Sequence, residues 1–438
     1  MSNSVLIAQF DSRHTPPRSE AEKLSLLPGA SAPDSGGEKT RAAASQSSPA
    51  LALLTGGTDP HYACGLAMAL VQQGLCLDFI GSDETDSPKL HGHPSLRYLN
   101  LHGGPGPKPR APQRFWVYLT AYARLMAYAA RATPKVFHVL WNPKFQLFDR
   151  TVLMLYYRLL GKKIVFTAHN VNAGQRDNKD GFLNRLTLRI QYRLADGIFV
   201  HTQKMKQQLS DDFRVPPGKV TVIPYGINNA VPDTSLTSAE AKARLGFSPS
   251  DRVLLLFGRV TAYKGVEYAV RALAELPAKG KEYRLVIAGR IKGCPEYWAE
   301  VQEAIAQAGV RPQIIERTKF IADEEIEIFF KAADALLLPY TEIFQSGILF
   351  LGYSFGLPVV AADVGSFKEE IREGETGFIC KPKDVVDLAR AIEKYFASDL
   401  YRQLDVRREA IRVFARERCS WDKVAALTAN VYSNLPAR

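Results

Sequence analysis

A chain of 438 residues is longer than one hydrophobic core usually organises, so two domains are expected. With 46% hydrophobic and 23% charged residues the composition is that of a globular protein, and no apolar run approaches the roughly 18–20 residues of a membrane-spanning helix. The net charge of +11 belongs to the first half: residues 1–228 hold 27 Lys/Arg against 16 Asp/Glu, and residues 229–438 hold 29 against 29. The five cysteines are scattered and form no CxxC pair, which suits free thiols in a reducing compartment and argues against a zinc site. The amino terminus lacks the basic-then-apolar layout of a signal peptide, so a cytoplasmic location is expected.

Residues 1–48 are rich in Ser, Pro, Ala and charge, and their lack of periodicity predicts disorder, with one short strand possible at Ser4–Phe10. From residue 50 strands and helices alternate. Strand-like Ala50–Gly56 carries Gly56-Gly57 at its end, where either a tight turn or close backbone approach to a ligand is served. A helix through Cys64–Gln73, strands at Leu75–Gly81 and Leu96–Leu101, and a Pro/Gly-rich loop at 103–113 follow. Then come an apolar-aromatic helix near 114–131, a strand at Val136–Trp141, a helix at Arg150–Leu160 and a strand at Lys163–Ala168. A helix at Phe182–Leu194 and strands at Gly197–Val200 and Val220–Ile223 close this series, which repeats the βα unit of a doubly wound parallel sheet. His169 stands just past one buried strand and His201 at the end of another, the second read as structural.

Residues 229–248 read as an inter-domain linker, and a second βα series runs from Arg252 to about Ser398. In it the apolar run Val253–Phe257 ends in Gly258-Arg259, and a short loop leads to Lys264-Gly265 at the head of a helix. One cation at a strand end and one at a helix start suit a diphosphate, because helix N-termini attract anions. The order Lys-Gly is not that of a Walker loop. Further on, strand Ala335–Leu338 precedes Ser346-Gly347, an all-apolar helix to Phe355, the stop Gly356-Leu357-Pro358 and strand Val359–Ala362.

These two segments, 257–273 and 338–367, resemble the donor-binding domain of retaining glycosyltransferases with the GT-B fold, the family-4 (group 1) type. The resemblance covers roughly 50–436. It implies two tandem Rossmann-like domains, at 49–228 (acceptor side) and 229–419 (donor side), with a terminal helix at 420–438 crossing back to the first. It implies that Arg259 and Lys264 grip the diphosphate of a nucleotide-sugar, with Gly57, Gly258, Ile321, Gln345, Ser346 and Gly347 lining the donor site. It further implies that His169 hydrogen-bonds the donor sugar. The family pattern of two glutamates seven residues apart would fall on Ile343 and Leu351, neither acidic. Glu342, one position away, is the candidate for the first carboxylate, and the ribose-binding second is missing.

No Asp-x-Asp occurs, so no metal or other cofactor is expected and the diphosphate would be neutralised by cations and helix dipoles. No nucleophile–base–orienter set occurs either. The expected activity is transfer of a hexosyl group from a nucleotide-diphosphate sugar to a hydroxyl of a glycan, lipid-linked or small-molecule acceptor. Alternatives are a GT-B nucleotide-sugar epimerase, a non-catalytic sugar-nucleotide or glycan binder, and a transferase acting on DNA bases. The last lacks a basic-aromatic stacking platform, so no nucleic-acid partner is expected. The cations of 158–193, interleaved with Leu160, Leu186, Leu188 and Ile190, fit either a solvated face or peripheral contact with the inner face of an anionic membrane.

Overall fold

The computed structural model describes residues 50–57, 59–103, 111–176, 179–227, 231–277, 283–291 and 294–436. The expected disorder of 1–48, the Ser4–Phe10 strand and most of the 103–113 loop lie outside these residues.

The first parallel sheet comprises β1 (Leu51–Leu54), β2 (Leu77–Gly81), β3 (Leu96–Asn100), β4 (Val136–Val139), β5 (Lys163–Thr167), β6 (Gly197–Val200) and β7 (Val220–Val222). Its order is β3-β2-β1-β4-β5-β6-β7, so Leu51 faces Leu77 on one side and Val136 on the other. The second comprises β8 (Arg252–Phe257), β9 (Tyr283–Ala288), β10 (Ile314–Arg317), β11 (Ala335–Leu338), β12 (Val359–Ala362) and β13 (Gly377–Cys380), in the order β10-β9-β8-β11-β12-β13. Every strand pair is parallel, so helices cover both faces of each sheet. That burial is why β1 and β11 read as unbroken apolar runs, buried at every position.

Chain direction across each sheet reverses once, between β1 and β4 in the first and between β8 and β11 in the second. Crevices at such reversals, beyond the strands' carboxyl ends, are where open α/β sheets hold ligands.

The terminal helix Trp421–Ser433 returns to the first domain. Val424, Ala425 and Leu435 join the core formed by Leu53, Leu66 and Phe199. The Tyr432 hydroxyl lies 2.6 Å from Nδ1 of His138 in β4, and Lys163 Nζ donates to the Leu435 carbonyl at 3.2 Å. Trp421 packs so closely that a Cβ on Gly65 or Gly226 would come within 2.3–2.4 Å of its indole.

Local boundaries differ where capping and packing override periodicity. The first helix starts at Pro60 rather than near Cys64, because the Asp59 carboxylate caps it by accepting from Tyr62 N at 3.1 Å. Helical structure expected from Arg150 begins at Gln146 and contains a π-helical turn at Asp149–Leu153. Of the leucines and isoleucine expected to form an apolar wedge, Leu188 is buried, Leu160 and Ile190 are half-buried, and Leu186 alone is exposed.

Candidate functional site

Both reversal points carry glycines singled out from sequence, and the second also carries the two cations. After β1, Gly56 and Gly57 take positive φ of 63° and 73°. A Cβ on Gly56 would lie 2.6 Å from the carbonyl oxygen of Trp141, which follows β4, so only glycine lets the two strand ends meet. After β8, Gly258 (φ 96°) leaves room for Lys264, whose Nζ would lie 2.7 Å from any Cβ there.

Lys264 is buried, donates to the Phe257 carbonyl at 2.7 Å and stands 5.3 Å above the Tyr340 ring. Burial pulls its pKa down to about 8, with nearby Arg259 acting in the same direction. Arg259 is exposed at the same strand end and forms no ion pair among the described residues. Arg290, after the next strand, is also exposed. The helix Gly347–Ser354 has no side-chain cap from Ser346. Ser346 itself is buried, with its hydroxyl near that of Tyr340, and the Gln345 amide is buried beside Glu370. Ile321 is buried in the same domain's core just before the helix Asp323–Ala332.

The opposing wall comes from the first domain. Tyr62, Trp141, His169, His201, Tyr225 and Trp421 form one aromatic cluster, with Trp141 and His169 stacked at 4.2 Å and 4°. The Tyr225 ring stacks on Phe350 at 5.3 Å, and its hydroxyl lies 3.3 Å from where a Cβ on Gly347 would stand and 3.4 Å from Asp59 Oδ2. His61 Nε2 reaches Asp323 Oδ2 of the second domain at 3.6 Å. Between the walls lies a pocket of about 230 Å³, lined by Asp59, Tyr62, Tyr225, Phe257, Gly347 and Leu351 among others. Leu351, where the family pattern has its second glutamate, is thus an apolar wall.

His169 and His201 form a directed pair. His201 Nδ1 lies 3.3 Å from the Ile223 carbonyl, which can only accept, so Nδ1 carries the proton and Nε2 does not. That bare Nε2 lies 3.0 Å from His169 Nδ1, which must then be its donor. His169 Nε2 is left with a free lone pair, buried and without a partner among the described residues, and the Tyr62 hydroxyl is likewise buried and unpartnered among them. Burial holds both imidazoles neutral, His201 near 4 and His169 well below its ordinary value. His201, expected to be structural, is the group that orients His169.

Glu342 stands apart from this pocket. It is exposed and lines a larger groove of about 550 Å³ with Thr341, Ile343 and Gly365 of the second domain and Thr202, Lys204 and Asp211 of the first. The groove and the pocket flank the Ile343–Gly347 segment, the shared element between them.

Two family models divide the chain between them: "Glycosyltransferase Family 4" matches residues 61–231 and "Glycosyl transferases group 1" matches 237–413. The chain belongs to the group 1 glycosyltransferases. The D-inositol 3-phosphate glycosyltransferase of Streptomyces scabiei is 30% identical to this group 1 chain over 55% of it and 54% of the relative. The chain spans about half the length of the first curated relatives it matches. Among solved structures, sucrose-phosphate synthase from Thermosynechococcus elongatus superposes with a TM-score of 0.71 at 19% identity, covering 89% of this chain and 99% of that one. Anabaena HepE, solved with UDP and glucose, gives 0.67 at 17%, covering 88% and 100%. These likenesses show that this group 1 glycosyltransferase has the GT-B fold.

Asp59, Tyr62, Tyr225 and His201 were not identified as site residues from sequence. The signal for the first two was present, because Asp59-Pro60 after a Gly-Gly turn is a helix start at a reversal-point strand. The other two become site residues only through contacts from distant parts of the chain.

Proposed function

We propose that the protein is a metal-independent, retaining glycosyltransferase that moves a hexosyl group from a nucleotide-diphosphate sugar to a hydroxyl of an acceptor. The observation that carries this reading is Lys264, a buried cation whose pKa is pulled down to about 8 at the β8/β11 reversal point, with its Nζ held by one carbonyl and a cation–π contact. A buried ammonium without a counter-charge is costly, and a diphosphate is the ligand that offsets the cost. Arg259 adds a second cation, and the Gly347 helix start adds its free N–H groups. Together they stabilise charge on the departing nucleoside diphosphate, which is where catalysis of glycosyl transfer needs it.

The His169 Nε2 lone pair accepts a hydroxyl hydrogen of the donor sugar, and neutrality through the physiological range suits that role rather than general acid catalysis. Glu342, in the groove beside the same loop, is proposed to meet the sugar from the acceptor side. The UDP and UDP-glucose held by Anabaena HepE support uridine nucleotides as the first donors to test.

A thermal-shift panel of UDP, GDP, ADP and their sugars tests donor binding, since a ligand of the native state raises stability by mass action. Purified protein with the stabilising sugar nucleotide and an acceptor should then release nucleoside diphosphate with the anomeric configuration kept. No shift with any nucleotide, or an inverted product, rejects the proposal.

A further inference from the structure

The first domain carries an apolar face that the transfer reaction does not use. Twelve of the sixteen exposed large hydrophobic residues among the described ones fall between residues 115 and 186, eleven of them on three helical segments and Phe145 just ahead of the second. On the helix Ala111–Arg131 these include Phe115, Trp116 (62% exposed) and Leu119. On Gln146–Phe148 and the turns that continue it to Leu159 they are Leu147, Val152, Leu155 and Leu159. On Phe182–Leu194 they are Phe182 (82% exposed), Leu183 and Leu186.

The segments are contiguous. The Tyr118 ring lies 5.7 Å from the exposed Phe145, tying the first segment to the second, and Leu147 and Leu183 line one surface groove of about 260 Å³, tying the second to the third. The same face is cationic. Exposed Arg189 and Arg193 form no ion pair among the described residues and recur at four-residue spacing after Arg185, while Lys144 stands beside Tyr118. Each segment follows the carboxyl end of β3, β4 or β5, the edge that also carries His169 and Trp141.

We infer that this face docks the protein peripherally on an anionic lipid bilayer, with the open edge of the cleft next to the membrane surface. Apolar side chains that no described residue covers, rimmed by cations that form no ion pair among the described residues, match an interface that offers acyl chains beneath acidic headgroups. A second copy of the chain fits poorly, because a twofold contact through this face would set its cations against each other. No helix among the described residues is long and apolar enough to cross the bilayer, so the attachment is to the surface. Docking stands without the transferase reading; only its corollary, that the acceptor is lipid-borne, rests on it.

The test is sedimentation of the full chain with phosphatidylglycerol-containing or pure phosphatidylcholine vesicles, at low and high salt and without nucleotide. At low salt the anionic vesicles should retain it at least about tenfold better, and about 1 M salt should erase most of that preference as the screening length shrinks. Trp116→Glu with Leu183→Glu should abolish retention, and Arg189→Glu with Arg193→Glu, wholly surface changes, should weaken it at least about tenfold. Both pairs should keep the wild-type circular dichroism spectrum. Equal pelleting with both lipids, or retention unaffected by the Arg pair, overturns the proposal. So does a dimer in analytical ultracentrifugation that the Trp116/Leu183 pair dissociates, since the face would then be self-association.

Discussion

His169 Nδ1 lies 3.0 Å from His201 Nε2, and the Ile223 carbonyl behind His201 gives that hydrogen bond its direction. The consequence is a lone pair, not a proton, on the buried His169 Nε2. His169→Ala should lower kcat/KM by at least about tenfold, the worth of one hydrogen bond to a sugar hydroxyl. His201→Phe should cost less, about three- to tenfold, by freeing the His169 tautomer. Heteronuclear NMR of the imidazoles checks the cause: the Nδ1–H form should dominate at His169 in the native chain and mix with the other tautomer in the variant. Equal activity of both variants and wild type would remove the pair from the site.

The same burial makes a stability prediction. A histidine whose pKa is depressed in the folded state binds fewer protons than it does unfolded. Its stabilising contribution is therefore complete above the ordinary value near 6.5 and is lost as pH falls toward about 4 for His201. The melting temperature should drop over that window, and His201→Gln should make the drop shallower. An equally steep drop in the variant contradicts the argument.

Lys264 governs the alkaline side. Burial lowers its pKa in the free protein to about 8, and a bound diphosphate favours the charged form. Nucleotide affinity should therefore weaken as pH rises above about 8, with proton uptake on binding visible by calorimetry in buffers of different ionisation enthalpy. Lys264→Ala and Arg259→Ala should each cost at least about tenfold in turnover, the measure of a charge-assisted contact to a leaving group, and only Lys264→Ala should flatten the alkaline limb.

Glu342 is exposed in the groove and does not line the pocket formed by Asp59, Tyr225, Phe257 and Gly347. Glu342→Gln should lower kcat by about tenfold or more while leaving the nucleotide-induced thermal shift unchanged. A loss of the shift instead would place Glu342 on the nucleotide.

Gly226 is a packing test of the domain closure. A methyl there would meet the Trp421 indole at 2.4 Å, so Gly226→Ala should destabilise by about 1–3 kcal/mol and lower the melting temperature. A variant also carrying Trp421→Leu, which makes room, should recover part of the loss.

Much of this fold was legible along the chain. The alternation of apolar runs and helix-period stretches predicts two parallel sheets because strands buried on both faces admit little but apolar residues, as β8 and β11 illustrate. Gly258, Arg259, Lys264 and Ser346-Gly347 were legible as candidates because a strand end followed by a helix start is a local event with a local signature. The exposed face was half legible: charge excess is visible in a count, but which leucines face out depends on neighbouring helices. Leu188 turns inward beside Tyr192 in the first domain's core while Phe182 stays out.

Residue order and local chemistry thus set where strands end, where helices begin and which cations stand at those junctions. Only tertiary structure decided that His201 would orient His169, that Asp59 and Tyr225 would face Gly347, that Leu351 would wall the pocket, and that Trp421 would seal Gly65 and Gly226. Each of these depends on burial and contact between residues far apart in the chain. Periodicity reports which side of an element is apolar; it carries no record of which distant side chain will fill the space opposite.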